Sequence, residues 1–338
     1  MEQHIKPLRS VLVTGGAGFI GSNFLRYVCK SPQFSYFHFT CLDKLSYVSD
    51  ESTKFIEDLM KLPNFEFIQA DLSSDYDLLK SLIVEEERYT DFINFAAESS
   101  VDRSFEDPLF FTRNNILGTQ NLLECVRLLM SKKDYSRHTN FIHISTDEVY
   151  GDQESGEAVD EKSCLKPTNP YSATKAAIDL IINAYMKSFN LPILVVRSNN
   201  VYGYNQYSEK LIPMTIEALK ENRPITIHGD GHQKRRYVFI DDFTRAVLCI
   251  WELGGQQEIY NIGSDEEISN IKLVRMIRSL FEQITGSNSE FKIQHVNDRL
   301  YNDERYDIAY EKLSAFGWKP TTTLKEGLIK VIEYTLKN

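Results

Sequence analysis

In the segment Ser145-Thr146-Asp147-Glu148-Val149-Tyr150-Gly151, a hydroxyl and two adjacent carboxylates follow directly on the apolar run Phe141-Ile142-His143-Ile144. The run reads as a buried strand of a parallel sheet, and ligands of open α/β sheets bind beyond the carboxyl ends of such strands. An acid and a base on neighbouring positions suit proton transfers at neighbouring atoms of a substrate, provided the two carboxyls titrate apart. Tyr171 and Lys175, in Tyr171-Ser172-Ala173-Thr174-Lys175, are four apart and share one face of a helix. A lysine cation beside a tyrosine favours the phenolate, turning an acid of pKa about 10 into a usable base. Each pair on its own also occurs as a turn cap or a surface pair. Strand-end position and joint occurrence carry the chemical reading.

Such side chains need elements that hold them. Val11-Leu12-Val13-Thr14 reads as a short strand, followed by Gly15-Gly16-Ala17-Gly18-Phe19-Ile20-Gly21 and a helix beginning near Ser22. Glycine is needed where the backbone turns, where it approaches a pyrophosphate and where helix packs on strand. The helix N-terminus then offers unpaired N–H groups to the phosphates. Phe39-Thr40-Cys41-Leu42-Asp43 ends a second strand, and an acid there accepts from ribose hydroxyls and repels a 2′-phosphate. NAD is therefore expected over NADP, with Lys44 as the one counter-signal. Phe65-Glu66-Phe67-Ile68 leads to Ala70-Asp71-Leu72, and Phe92-Ile93-Asn94-Phe95 to Ala96-Ala97-Glu98-Ser99. Asp71 reads as an adenine contact or as a turn acid, and Ala96-Ala97 as a close approach to cofactor or as packing. The candidate cofactor contacts are thus Gly15, Gly18, Phe19, Ile20, Gly21, Asp43, Lys44, Asp71, Leu72, Ala96 and Ala97, with Tyr171 and Lys175.

Strands alternating with helical segments predict an α/β fold: a Rossmann-like, doubly wound parallel sheet. Phe110 to Leu129 and Ser172 to about Phe189 read as helices, with Leu122, Leu123, Val126, Leu129, Ile178, Ile181 and Ile182 as apolar positions. The last core strand, Leu191 to Arg197, ends in Ser198-Asn199-Asn200. Beyond it the chain is more irregular and carries Lys210, Arg223, Lys234, Arg235 and Arg236. The expected division is a cofactor domain over 1–197, rejoined by about 236–262, and a smaller, partly discontinuous substrate domain over 198–338. Asp241-Asp242 reads as the cap of a helix, and Leu324 to Leu336 as an amphipathic helix.

The 338 residues carry a net charge of −10, which argues against a nucleic-acid surface. An anionic substrate must then meet a few local cations. Five scattered cysteines without a CxxC pair point to a reduced compartment, and nothing has metal-ligand spacing, so no metal is expected. Met1-Glu2-Gln3-His4 opens no signal peptide and Ala246 to Trp251 is too short to span a bilayer, which makes the expected setting cytoplasmic, away from membranes. Apolar residues left facing outward on the long helices would form a homodimer interface.

Taken together, the glycine loop, Asp43-Lys44-Leu45, Ala96 to Ser104, Ser145 to Gly151, Tyr171-x-x-x-Lys175, Asp298-Arg299 and Arg305-Tyr306 resemble the extended short-chain dehydrogenase/reductase superfamily. Within it they are similar to the nucleoside-diphosphate-glucose 4,6-dehydratases. The resemblance spans nearly the whole chain. Related 4-epimerases carry small uncharged residues where this chain has Asp147-Glu148, so that pair is the mark of dehydration. A non-catalytic NAD-binding regulator is the reading from another class. The resemblance implies a dTDP- or UDP-glucose substrate, transient oxidation at C4 and elimination of water across C5–C6. It gives Tyr171, with Lys175, the 4-hydroxyl proton, Thr146 a hydrogen bond to that hydroxyl, Glu148 the C5 proton and Asp147 the departing 6-hydroxyl. Arg235 and Arg299 are candidate diphosphate clamps, since guanidinium forks match phosphate oxygens. Asn200, Lys210 and Asn261 are candidate hydrogen-bonding contacts. Ser99, Leu211 and His228 complete the substrate set. His228, Tyr237 and Asn302 depart from the bacterial dTDP-glucose pattern toward the UDP-glucose enzymes of plant-type rhamnose synthesis. His143, within a core strand, reads as buried and satisfied.

Overall fold

β1 (Arg9–Thr14) passes through a glycine turn into α1 (Phe19–Lys30), and strand-then-helix units follow from it. The computed structural model describes residues 9–46, 54–133, 139–153, 156–287 and 292–338, so Met1-Glu2-Gln3-His4 lies outside the described residues. The strands β2 (Phe37–Asp43), β3 (Phe65–Gln69), β4 (Asp91–Asn94), β5 (Asn140–Ile144) and β6 (Ile193–Ser198) join β1 in parallel register. β4, β5 and β6 are buried at every residue. Parallel strands covered on both faces have this near-continuous apolar character.

After β7 (Asn200–Tyr202), β8 (Ile225–His228) and β9 (Lys234–Phe239), the chain returns as β10 (Ile259–Ile262). The seven-stranded order is β10-β6-β5-β4-β1-β2-β3, the doubly wound arrangement expected, with its switch of direction between β1 and β4. β11 (Glu267–Ser269) pairs antiparallel with β9, which also pairs parallel with β7, and β12 (Ile293–Val296) pairs with β8.

The chain forms two compact units. One comprises Met1–Ser145, Ala173–Val196 and Leu253–Ile259, the other Thr146–Ser172, Arg197–Glu252 and Tyr260–Asn338. Residues 236–252, expected with the first unit, pack in the second because β9 is the middle strand of the β11-β9-β7 sheet. In the first unit, a helix running from Pro108 contains a π-helical turn at Thr112–Leu117 before α2 (Gly118–Met130). Leu122, Leu123, Val126 and Leu129 of α2 are fully buried, as are Ile178 and Ile182 of α3 (Pro170–Phe189), in one cluster with Phe92 and Phe141. In the second unit lie α4 (Leu211–Lys220), α5 (Ile240–Leu253), α6 (Asn270–Thr285) and α7 (Leu324–Lys337). A reciprocal Thr323–Glu326 capping box opens α7.

Two local expectations need correction. α1 begins at Phe19 rather than near Ser22, because Gly18 is the extended N-cap and Ser22 already lies within the first turn. Asp241-Asp242 does not cap a helix, since α5 starts at Ile240. Asp242 instead accepts from the N–H groups of Thr321 and Thr322 and pairs with Arg245, which ties the chain ahead of α7 to α5. No helix among the described residues is long and apolar enough to cross a membrane.

Candidate active site

In the first unit, the loop after β1 leaves no room for a side chain at Gly15 or Gly21. Gly15 has φ +68°, and a Cβ there would sit 2.5 Å from the Ala96 nitrogen. A Cβ on Gly21 would collide with the Gly15 carbonyl. Ala96 follows β4, so the two loops touch where the winding reverses. Gly18 provides no side-chain cap for α1, and Gly18, Phe19 and Ile20 are partly exposed. The first amides of α1 therefore have no side-chain cap and suit an anion such as a phosphate. Asp43, at the end of β2, accepts from the N–H groups of Ala17 at 3.0 Å and Leu45 at 2.9 Å.

Lys44 Nζ lies 2.7 Å from Glu98 and 2.6 Å from Asn114 Oδ1, and 5.1 Å from the centre of the Phe110 ring. With Gln69, Ala70, Asp71 and Arg103 it lines a cleft of about 430 Å³. Asp71 lines this cleft while closing its own turn onto Ser73. Leu72 differs: its side chain is core, which leaves only its main chain for a ligand. Ala97 and Ser99 are exposed.

Lys175, on α3, is buried and donates to the Ile144 carbonyl at 2.6 Å. Burial lowers its pKa to about 8, against an opposing pull from Asp179. The next residue back, Thr174, accepts from Asn115 in the π turn, and Asn115 also clasps both main-chain groups of Glu98. Asn115 was not among the expected site residues. A π turn often marks a functional position, but hydropathy patterns do not reveal one.

The second unit holds the carboxylate pair. Thr146 N-caps a short 3₁₀ turn, Asp147–Tyr150, so Asp147 and Glu148 occupy its first positions. Thr146 Oγ1 donates to Asp147 Oδ1 at 3.2 Å and accepts from the Glu148 N–H at 3.3 Å. Asp147 is buried, and Asn199 Nδ2 donates to its second oxygen at 2.7 Å. Burial lifts the Asp147 pKa to about 7 against the bond from Asn199, and the charge on Glu148 adds to the rise. Burial also raises Glu148, opposed first by the Arg235 cation and then by a bond from Asn169. Asn169 serves two ends. Its Oδ1 accepts from the Ser172 N–H at 2.9 Å, capping α3, and its Nδ2 reaches Glu148 at 3.4 Å. Tyr171, in the first turn of α3, is buried.

Arg235 is buried, and its cation acts on both Asp147 and Glu148. It donates to the carbonyls of Lys234, Asp303 and Glu304 and stacks 4.6 Å over the Tyr306 ring. Asn302 Oδ1, at 3.5 Å, takes a fourth of its five N–H donors and leaves the Nε–H. Asp303, buried, accepts from Thr168 and Tyr306.

Asn261 is corrected as a candidate substrate contact. It is wholly buried, donating to the Ala309 and Val159 carbonyls and accepting from Tyr150, whose hydroxyl also receives Arg197. It braces the turn that carries Asp147 and Glu148 from behind. Asn200 bonds the Tyr237 hydroxyl, Lys210 precedes α4 and pairs with Glu209, and Leu211 opens that helix. His228 ends β8 beside Gly229, where a Cβ would meet the Asp298 carboxylate, so His228 and Arg299 belong to adjoining turns. The buried Nδ1 of His228 has no hydrogen-bond partner among the described residues. Asn199 was also not among the expected site residues. Its neighbour Asn200 stood out equally in sequence, and only the break between β6 and β7 distinguishes them.

Comparison with known proteins agrees with this architecture. The family model for GDP-mannose 4,6 dehydratase matches residues 12–331. An uncharacterized protein of Schizosaccharomyces pombe is 50% identical over 95% of this chain and 96% of its own. Human dTDP-D-glucose 4,6-dehydratase is 38% identical, covering 98% of this chain and 91% of the human one. A trifunctional UDP-glucose 4,6-dehydratase/UDP-4-keto-6-deoxy-D-glucose 3,5-epimerase/UDP-4-keto-L-rhamnose-reductase of Arabidopsis thaliana is 39% identical, and this chain spans 48% of its length. Among solved structures, the dTDP-glucose 4,6-dehydratase of Streptomyces venezuelae, with NAD bound, superposes with a TM-score of 0.86 at 32% identity, over 97% of each chain. The UDP-glucuronic acid 4-epimerase of Bacillus cereus, also with NAD, gives 0.85 at 30% identity, over 97% of this chain and 99% of that one. Fold alone therefore does not separate dehydration from epimerization, but the family is clear: this chain belongs to the GDP-mannose 4,6 dehydratase family.

Proposed function

We propose that this protein is a nucleotide-sugar 4,6-dehydratase acting on dTDP- or UDP-glucose with a resident NAD. The observation that carries the reading is the Asp147–Glu148 pair, two adjacent carboxyls held in different surroundings and both raised in pKa. An epimerase has no use for such a pair. The side-chain-free loop at Gly15 and Gly21, the open N-terminus of α1 and the acid at Asp43 fit a dinucleotide. On this reading the first unit holds cofactor, through the loop residues, Asp43, Lys44, Asp71, the main chain of Leu72, Ala96 and Ala97. The second holds the sugar nucleotide, through Asn200, Lys210, Leu211, His228, Arg235 and Arg299; Ser99, expected in the same set, belongs to the first unit.

NAD, when bound, supplies the hydride acceptor that makes C4 a ketone and the donor that later reduces C6. The chain's own groups handle the protons. Tyr171, as phenolate, takes the proton of the 4-hydroxyl, which Thr146 holds by a hydrogen bond. The ketone acidifies C5, and Glu148 takes that proton. Asp147, neutral because it is buried, gives its proton to the departing 6-hydroxyl, which leaves as water. The C5 proton is restored at the end. The balance over one turnover is one proton gained at Tyr171 and one lost at Asp147.

Incubation with either sugar nucleotide tests the reading. A 4-keto product lighter by one water supports it. A galactose nucleotide of unchanged mass, or NADH released in step with product, would reject it. Glu148→Gln is expected to slow the reaction by about 10²–10⁴-fold. The reading includes a homodimer and a cytoplasmic setting. Leu117, the last residue of the π turn, and Leu180 on α3 are exposed, on helices already joined through Asn115 and Thr174, and a second copy would cover them.

A further inference from the structure

Lys44 follows Asp43 directly at the end of β2, where a cation can hold the extra phosphate of NADP. The first unit occupies that cation elsewhere. Lys44 Nζ lies 2.7 Å from Glu98 Oε1, in the loop after β4, and 2.6 Å from Asn114 Oδ1, on the π turn. Glu98 is buried and Lys44 largely so, and an ion pair withdrawn from water is screened less than a surface one. Asp71, Asp75 and Arg103 are the other charged groups lining the neighbouring cleft, and with Lys44 their charges balance. The Glu98 carboxylate tips that balance to negative.

Both partners are anchored by one turn of helix. Asn114 Nδ2 donates to the Phe110 carbonyl at 2.8 Å, so its amide has one orientation and Oδ1 faces Lys44. The next residue, Asn115, accepts from the Glu98 N–H at 2.8 Å and donates to the Glu98 carbonyl at 3.0 Å. Neighbouring residues of the π-helical segment Thr112–Leu117 thus hold the lysine and the glutamate separately. The ion pair is part of the fold, not a chance meeting of two loose side chains. Burial raises the Asp43 pKa and backbone bonds from Leu45 and Ala17 lower it, after which Lys44 and Glu98 act on it in opposite senses. Asp43 therefore feels the cation and its neutraliser together.

We propose that Glu98 determines cofactor specificity: by neutralising Lys44 it leaves the Asp43 carboxylate uncompensated, so that NADP is refused although a lysine stands beside the acid. A 2′-phosphate brings roughly two negative charges and needs a cation with N–H donors to give. Lys44 directs two of its three donors at Glu98 and Asn114. Ribose hydroxyls need only an acceptor, which Asp43 supplies, so NAD is served by the same arrangement. The inference rests on the assignment of a dinucleotide to the first unit and is independent of what happens to the sugar.

The test is a competition read without turnover. The full-length protein is equilibrated with equal concentrations of NAD and NADP and freed of unbound dinucleotide, and the bound dinucleotides are released and quantified. Glu98→Gln keeps the size of the side chain and both main-chain bonds to Asn115. It is expected to raise the bound NADP-to-NAD ratio about tenfold, the effect of one charge-assisted contact to the 2′-phosphate. Adding Lys44→Met to Glu98→Gln is expected to abolish that gain. An unmoved ratio in Glu98→Gln, the outcome of a merely structural role, overturns the proposal. So does a gain that survives Lys44→Met. Wild-type protein that holds as much NADP as NAD overturns it with no variant to fold. Wild-type protein that holds neither would reject the dinucleotide assignment itself, and the proposal with it.

Discussion

Asp147 and Glu148 are chain neighbours with different surroundings, and the difference decides which can act as acid. Asp147 is enclosed, with Asn199 on one oxygen and Thr146 on the other, whereas Glu148 is partly open and feels Arg235. Because the charges interact, the pair titrates as a unit, and a kinetic profile reports its macroscopic values. The expected profile is a bell. Activity falls as pH drops through the raised Glu148 pKa, because the base is then protonated. It falls again as pH rises through about 7, because Asp147 has then lost the proton it must donate. Asn199 favours the ionised form of Asp147, so Asn199→Ala is expected to move the alkaline limb upward by about one unit. Removing a bond to a charged group should also lower kcat, by roughly tenfold or more. A pH–rate profile of the variant, with an alkaline limb at the wild-type position, would contradict the assignment of Asp147 as the acid.

At the scale of elements, each chemical group is held at a strand end or a helix start. Asn169 joins two of them, capping α3 while reaching Glu148. Asn169→Ala should therefore reduce stability by about 1 kcal/mol through the lost cap, and activity by more than that loss explains. Thermal melts beside kcat separate the two effects. The strands and helices themselves are legible in sequence, because β-branched and aromatic runs such as Phe141 to Ile144 alternate with helical stripes such as Leu122, Val126 and Leu129. The glycine loop, Asp147-Glu148 and Tyr171-x-x-x-Lys175 are legible for the same local reason. What sequence does not reveal depends on contacts across long stretches of chain. Asn199 reaches back to Asp147, Asp242 reaches forward to Thr321, and Asn261 closes on Tyr150. Nothing in the local pattern tells Asn199 from Asn200, or marks Asn261 as buried. The return of β9 to the second unit is a pairing choice, equally invisible along the chain.

For the whole molecule, a net charge of −10 means that an anionic substrate must be met by local cations against the general field, and on the proposed function these are Arg235, Arg299 and Lys210. Association with a second copy through Leu117 and Leu180 predicts a particle of twice the 39.1 kDa chain mass, and Leu180→Asp should shift it to monomer in light scattering. A wild-type monomer would remove the dimer from the account. The central claim, elimination across C5–C6 after oxidation at C4, is tested most directly by isotope position. With dTDP- or UDP-glucose carrying deuterium at C4, the account predicts a 4-keto-6-deoxy product with that deuterium on C6. Deuterium retained at C4 of an epimerized sugar, or lost from the sugar into free NADH, would contradict it.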